Sequence, residues 1–215
     1  MQAAILRTLD FLVPFGPQLR KLEDERLFVG WQGVFLFALP HTFFIFWLFS
    51  FIPLVGVLLY ILVLVPLSAL LHTRLKKIAG REQYAIYLQY FVVIVIGFGG
   101  LWGFIGHTFL ANTVALDIGW PVGSPFQMEL AFYHLGLGIA GLLAVWLRGH
   151  MITALVISKS IFWYGAAFVH VRDALLHANY SPLNVGVPLV VDTVLPTVLL
   201  GLLIQVYMSD IKSKQ

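Results

Sequence analysis

The chain has 215 residues, of which 60% are hydrophobic and 11% are charged, and its formal net charge is +3. Soluble domains carry about 25% charged residues, so this chain has too few polar side chains to cover a water-facing surface. The composition therefore predicts an integral membrane protein and excludes a basic nucleic-acid-binding protein. The absence of cysteine also excludes disulfides, thiolate metal sites and covalent c-type haem.

The first 72 residues predict a surface helix followed by a transmembrane hairpin. Residues 1–26 mix apolar and charged side chains without the long apolar core of a secretory signal. Ile5, Leu9 and Leu12 recur there at helical spacing, which predicts an amphipathic helix on the cytoplasmic membrane surface. Residues 27–72 are long enough for two spans, near 27–49 and 53–72, because each span needs about 20 apolar residues.

Four further apolar segments predict spans near 84–111, 125–147, 151–177 and 187–208, followed by a cytoplasmic tail at 209–215. Residues 112–126 are interpreted mostly as a loop. The run Ser124-Pro125-Phe126-Gln127 predicts a helix start with a capping box formed by Ser124 and Gln127. The predicted fold class is all-α: a polytopic membrane helical bundle of about six transmembrane helices, in which 84–208 form a four-helix unit.

Lysine and arginine divide unequally between the two sides of this arrangement. The side that holds both termini collects eleven of them, the other side collects Arg172, and Lys159 lies within a span. The eleven are Arg7, Arg20, Lys21, Arg26, Arg74, Lys76, Lys77, Arg81, Arg148, Lys212 and Lys214. By the positive-inside rule, both termini are predicted to be cytoplasmic.

Polar side chains gather in the outer half of the last four predicted spans. Ionisable groups inside a membrane are costly, so each needs a partner, water or a function. The candidate ligand-binding or proton-relay residues are His107, Glu129, Tyr133, His134, Lys159, Trp163, His170, Asp173 and Asp192. The members on the fifth span recur at helical spacing and predict one polar stripe that faces protein or water.

Several interpretations of these residues remain open at this level. His170, Asp173 and His177 carry groups that divalent metals prefer, or they lie at the wet end of a helix. His107 follows a glycine-rich stretch and, with His170 opposite, has the elements of a bis-histidine haem site, although glycines on membrane helices also serve close packing. Lys159 is either buried or snorkels to the interface.

The roles of Glu129 and Asp192 also have two interpretations. Each lies near the start of its predicted span. A carboxylate there either belongs to a functional site or stabilises the positive N-terminal end of its helix.

The stretch from about Val92 to Leu203 resembles the DoxX/DoxD-like group of small bacterial membrane proteins. The likeness lies in GFIGH at 103–107, GWPVGSPFQ at 119–127 and GLGIAGL at 136–142. The chain is still more similar to an uncharacterised bacterial family with the patterns GW-x-x-GSPFQ-x-E and GAA-x-x-H, here 119–129 and 165–170. This resemblance implies a bacterial inner-membrane location and a redox association, because some DoxX-like proteins are linked to quinol oxidation or thiol stress.

Three classes of function are consistent with the sequence. The first is a redox-linked or ligand-binding membrane protein that holds a quinone, a haem, a divalent metal or another small molecule. The second is a proton-coupled or small-solute transporter or channel, and the third is an accessory subunit of a membrane complex. No HExxH, GxSxG or P-loop motif is present, which disfavours a hydrolase or an ATP-driven pump. The expected environment is the lipid bilayer, a homo-oligomer or a membrane-complex partner is left open, and no nucleic acid is expected.

Overall fold

The computed structural model describes the backbone of residues 60–212 and the side chains of residues 61–209. That part of the chain consists of helices joined by short turns, with no strand among its elements. The all-α prediction is confirmed. The predicted surface helix at 1–26, the first predicted span at 27–49 and the start of the second lie outside the described residues.

The described segment forms seven helices. They are α1 Ile61–Leu75, α2 Arg81–Phe109, α3 Ala111–Ile118, α4 Phe126–Leu143, α5 His150–His177, α6 Pro182–Val185 and α7 Val187–Lys212. The middle of α2, Val92–Phe98, is π-helical. Within this segment, α2, α4, α5 and the combined stretch Pro182–Ser209 are long and apolar enough to cross a membrane, whereas α1 is shorter.

The third to sixth predicted spans are confirmed as helices, with changed boundaries. The prediction of a loop at 112–126 is wrong for its first half, which forms α3. This helix packs on α6 and buries Ala115 and Ile118. Burial of these apolar side chains stabilises the helix. Gly119 ends α3 in the left-handed conformation, with φ of +85°, which glycine adopts without a side-chain penalty.

The two ends of the bundle differ in character. One end, called the basic end here, carries Arg74, Lys76, Lys77, Arg81 and Arg148. The other, called the distal end, carries the end of α2, the starts of α4 and α7, the end of α5, and both α3 and α6. Within the bundle, the second half of α2 packs on α4, α5 packs on α7, and α7 also packs on the first half of α2.

Glycines set the contact between α2 and α4. A Cβ atom added to Gly100 would lie 2.6 Å from the Cα of Gly138, and one added to Gly141 would lie 2.6 Å from the backbone nitrogen of Gly97. Small residues allow membrane helices to approach this closely. The glycines of α2 that contact α4 are therefore used for helix packing, and this contact sets the relative depth of the two helices.

Candidate functional site

Lys159 lies near the middle of the bundle, on the face of α5 that also buries Val156 and Trp163. Its side chain is only 3% exposed, so it does not snorkel to the interface. The ammonium nitrogen lies 4.4 Å from the ring centroid of Phe162 and 4.9 Å from that of Trp163. The Tyr133 ring, 5.5 Å away, completes a three-sided aromatic cage around the cation.

The cation has no carboxylate partner in direct contact. Among the described residues, no Asp or Glu oxygen lies within 4.0 Å of the Lys159 ammonium. Its nearest hydrogen-bonding atom on another helix is Nδ1 of His134, at 3.5 Å. Cation–π contacts contribute about 2 kcal/mol when desolvated, which offsets only part of the several kcal/mol that burial of an ion costs.

A first polar row runs from Lys159 toward the distal end through α4 and α2. The His134 ring stacks on the His107 ring, with centroids 5.4 Å apart and planes 18° apart. Nδ1 of His107 then lies 2.6 Å from Oε1 of Gln127, which is buried in the first turn of α4. The row Lys159–His134–His107–Gln127 therefore joins the centre of the bundle to the start of α4.

Gln127 does not form the predicted capping box, because its side chain is bonded to His107 instead. Ser124 still accepts a hydrogen bond from the backbone nitrogen of Phe126, at 3.3 Å. The predicted capping box is not formed, and the N-cap residue of α4 is Pro125 and not Ser124. The helix start is in the expected place, but the glutamine belongs to the polar row.

The glycine face of α2 does not admit a haem. A Cβ atom added to Gly103 would lie 2.7 Å from Nδ1 of His134, so the space in front of this glycine is already filled by an imidazole. Gly100 is covered by the backbone of α4 in the same way. The predicted bis-histidine arrangement of His107 and His170 is not formed, because His107 stacks on His134 instead.

A second polar row joins α7, α5 and α6. Nε2 of His170 lies 3.8 Å from Oδ2 of Asp192, and Nδ1 of His170 lies 2.7 Å from Oδ1 of Asn184. The Asn184 side chain is fully buried and donates to the backbone oxygens of His170 and Asn179, at 3.3 and 2.7 Å. Pro196, inside α7, removes the amide that would otherwise pair with the carbonyl of Asp192.

Asp173 joins the distal end of α5 to two neighbouring loops through hydrogen bonds. Its Oδ2 accepts hydrogen bonds from Nε1 of Trp120, at 3.0 Å, and from Nδ2 of Asn179, at 2.6 Å. Its Oδ1 lies 2.7 Å from Nδ1 of His177. The Trp120 ring also stacks on His170, with centroids 5.9 Å apart, so it covers the second polar row from the distal side.

The three predicted metal ligands do not form one set. Asp173 and His177 bond to each other, whereas His170 faces Asn184 and Asp192. Within residues 60–212, no group of three or more His, Asp or Glu side chains is arranged to hold a metal ion. A metal site is therefore not part of the function proposed below.

The other predicted residues divide into two groups. Tyr133 and Trp163 belong to the cage around Lys159, whereas Glu129 is exposed in the first turn of α4. Sequence reasoning missed four members of the polar rows, Trp120, Gln127, Asn179 and Asn184. Trp120 and Gln127 lie in the GWPVGSPFQ motif, which was a usable signal, whereas nothing in the sequence singled out Asn184.

Within residues 60–212, neither polar row continues to the basic end. On that side of Lys159, α5 buries Ile152, Leu155 and Val156, and the π-helical segment 92–97 of α2 is buried and apolar. Polar groups near the basic end have their own partners. Gln89, for example, donates to the backbone oxygens of Ala144 and Val145. The polar site therefore reaches from the distal end to the middle of the bundle and stops there.

The fold and these rows define a polytopic helical membrane protein with a buried polar site in one half of its bundle. Residues 54–211 match the family of unknown function DUF6790, and the chain belongs to that family. No curated protein and no solved structure matches the chain. Membership of an uncharacterised family is as expected from the sequence, whereas the comparisons show no link to the DoxX/DoxD-like group.

Proposed function

We propose that the protein binds a membrane-soluble small molecule in the distal half of its bundle, where the Lys159 ammonium holds an oxygen atom of the head group. The observation that carries this proposal is the burial of Lys159 without a carboxylate in contact among the described residues. A buried cation without a carboxylate in contact is costly inside a bundle. A ligand with a carbonyl or anionic oxygen would lower that cost.

Two buried hydroxyls support a ligand in this region. Ser160 lies in α5 and Thr108 in α2, and the hydroxyl oxygen of each has no hydrogen-bond partner among the described residues. Buried polar atoms are nearly always paired in native proteins. Two unpaired buried hydroxyls, one on α5 and one on α2, are therefore consistent with a partner that binds within the bundle.

A quinone-type head group suits these surroundings. Its carbonyl oxygens accept hydrogen bonds from an ammonium or an imidazole, and its flat ring packs well against aromatic side chains. Phe162, Trp163 and Tyr133 supply such surfaces around Lys159. The likeness of the glycine and GWPVGSPFQ motifs to DoxX/DoxD-like proteins points in the same redox-linked direction.

The test is a titration of the purified protein in detergent with menadione, in which quenching of tryptophan fluorescence is measured. Replacing Lys159→Met removes the charge and keeps the length of the side chain, and we expect it to weaken binding at least about tenfold, or ~1.4 kcal/mol. The same variant should melt at an equal or higher temperature, because replacing a buried ion by an apolar side chain is often neutral or stabilising. Tyr164→Phe, on the exposed face of α5, is the matched control and should bind like the wild type.

Two results would count against this function. One is quenching that is equal in the wild type and in Lys159→Met. The other is a purified protein whose organic extract contains no quinone and which gives no saturable response to menadione.

Proton-coupled transport is the second candidate, and the two polar rows that lead inward from the distal end favour it. It requires a path through the apolar layer between Lys159 and the basic end. Proton flux in proteoliposomes that is lost in His134→Gln would support transport, whereas menadione binding without flux would support the binding site. A partner that co-purifies in fixed proportion would instead favour an accessory subunit.

We further propose that the basic end faces the cytoplasm of a bacterial inner membrane. Support comes from the excess of lysine and arginine at that end. Because the chain has no cysteine, single cysteines can be placed without background. A membrane-impermeant maleimide added to intact cells should label Val122→Cys in the distal loop, and should label Lys77→Cys only after permeabilisation. The reverse pattern would invert the orientation.

A further inference from the structure

The hydrogen bonds of Asn184 fix the position of a proton on His170. Both partners of Nδ2 of Asn184 are backbone carbonyl oxygens, which only accept, at 3.3 and 2.7 Å. The amide is therefore oriented, and its oxygen faces Nδ1 of His170 at 2.7 Å. Since an amide oxygen also only accepts, Nδ1 must carry the hydrogen and donate it.

This tautomer has a consequence on the other side of the ring. A neutral imidazole with hydrogen on Nδ1 has a lone pair on Nε2, and Nε2 faces Oδ2 of Asp192 at 3.8 Å. If Asp192 were ionised, two acceptors would face each other in a buried place with no proton between them. One proton removes this conflict, either as a carboxylic acid that donates to Nε2 or as an imidazolium that faces a carboxylate. A side-chain movement of a few tenths of an ångström would bring the pair within the 3.5 Å limit of a hydrogen bond.

We propose that His170 and Asp192 form a proton-binding site that holds one shared proton, and that this proton controls how strongly Lys159 attracts a ligand. The first part stands on the contacts of Asn184 alone. The second part rests on the function proposed above.

The coupling follows from the charges around Asp192. On α5, His170 lies 3.8 Å from Asp192, and Lys159 is buried in the same helix without direct contact to Asp192. Opposite charges inside a bundle of low dielectric constant attract each other without contact. On α4, the titratable group beside Lys159 is His134, at 3.5 Å. The α6 helix contributes Asn184, which is not titratable. The titratable groups in the first half of α2 are Arg81, Glu82, Tyr84, Tyr87 and Tyr90, and they begin that helix at the opposite, basic end.

Protonation of Asp192 removes the negative charge that partly compensates Lys159. The cation then attracts a ligand oxygen more strongly, so affinity should rise as pH falls. One coupled proton changes affinity by at most about tenfold per pH unit.

The first experiment needs no ligand. Infrared difference spectra of the whole protein at stepped pH should contain a carboxylic-acid carbonyl band that is missing in Asp192→Asn and unchanged in Asp117→Asn, an exposed control on α3. In a protein labelled with 15N-histidine, Nδ1 of His170 should be protonated at every pH. If the shared proton resides on the imidazole of His170, both of its nitrogens are protonated in the wild type. In Asp192→Asn, Nε2 should then carry no hydrogen.

Two outcomes overturn the proton site. One is a neutral His170 with its hydrogen on Nε2. The other is the absence of both the Asp192-dependent carbonyl band and a doubly protonated His170 at all pH values where the protein stays folded. The nitrogen spectrum of the wild type gives this answer even if Asp192→Asn fails to fold.

The second experiment tests the coupling with menadione. Affinity in the wild type should increase toward low pH by up to about tenfold per unit, and affinity in Asp192→Asn should be high and independent of pH. Binding that is equally independent of pH in the wild type overturns the coupling. No binding by either protein, together with a positive infrared result, overturns the proposed ligand and leaves the proton site standing.

Discussion

The contact between α2 and α4 leads to a quantitative prediction, because its closest approach is between backbones. In Gly100→Ala, the new Cβ would lie 2.6 Å from the Cα of Gly138 and 2.7 Å from both the nitrogen of Gly138 and the carbonyl oxygen of His134. Ordinary contact begins at 3.4 Å, so the shortest distance is too small by 0.8 Å. Since the opposing atoms are backbone, no rotamer change can relieve the overlap, and the helices must separate.

The expected cost follows from two opposing effects. Overpacking a well-packed interface costs about 1–3 kcal/mol, while replacing glycine by alanine within a helix gains roughly 0.8–1 kcal/mol. Gly99→Ala is the matched control, because no atom of the described residues lies within 4 Å of its added Cβ and only the gain in helix propensity remains. The variants should therefore differ by the overpacking cost, about 1–3 kcal/mol.

The assay is thermal unfolding in a mild detergent, followed by circular dichroism. At about 2–4 °C per kcal/mol for a chain of this size, Gly100→Ala should melt about 2–12 °C below Gly99→Ala. The stacking of His134 on His107 depends on the same approach, so Gly100→Ala should also weaken menadione binding. Equal melting temperatures for the two variants would refute the close contact and the role assigned to these glycines.

Three further stability predictions can be checked by the same melting assay. Asn184→Leu leaves two backbone carbonyls and an imidazole without their hydrogen-bond partner in a fully buried position. It should lower the free energy of unfolding by about 1–3 kcal/mol. A melting temperature equal to that of the wild type would contradict this. Gln89→Leu removes the donor to two carbonyls near the basic end and should cost a similar amount without changing menadione affinity. Gly119→Ala should be more destabilising than Gly123→Ala. Both glycines have positive φ, of +85° and +77°, so the backbone strain is similar. Only at Gly119 would the added Cβ also overlap the side chains that precede α6.

Most of the helical framework described here was predictable from the sequence. Long apolar segments bounded by charge clusters or turn residues can satisfy their backbone in a membrane only as helices, and α2, α4, α5 and α7 lie where that reasoning placed them. It failed at α3, where turn-forming residues at 119–125 suggested that the preceding stretch was also a loop. The packing of α3 on α6, in which Ala115 and Ile118 are buried, is a tertiary contact, and no local sequence pattern predicts it.

The candidate site was predictable in part. Helical spacing placed Lys159, Trp163 and His170 on one face of α5, and all three are buried there. Spacing did not pair Lys159 with His134, whereas the two side chains meet at 3.5 Å. Spacing along one helix gives the face of a residue, but the offset between two helices depends on how they pack.

The sequence by itself determined that this chain is a membrane-spanning helical bundle, because composition and the length of apolar segments are local properties. It also determined which polar residues had to be accommodated within the spans, Lys159 above all. Only the tertiary structure decided their partners. The glycine contact between α2 and α4 sets the position of His134, and the amide of Asn184 sets the proton on His170. Both depend on atoms that are far apart in sequence.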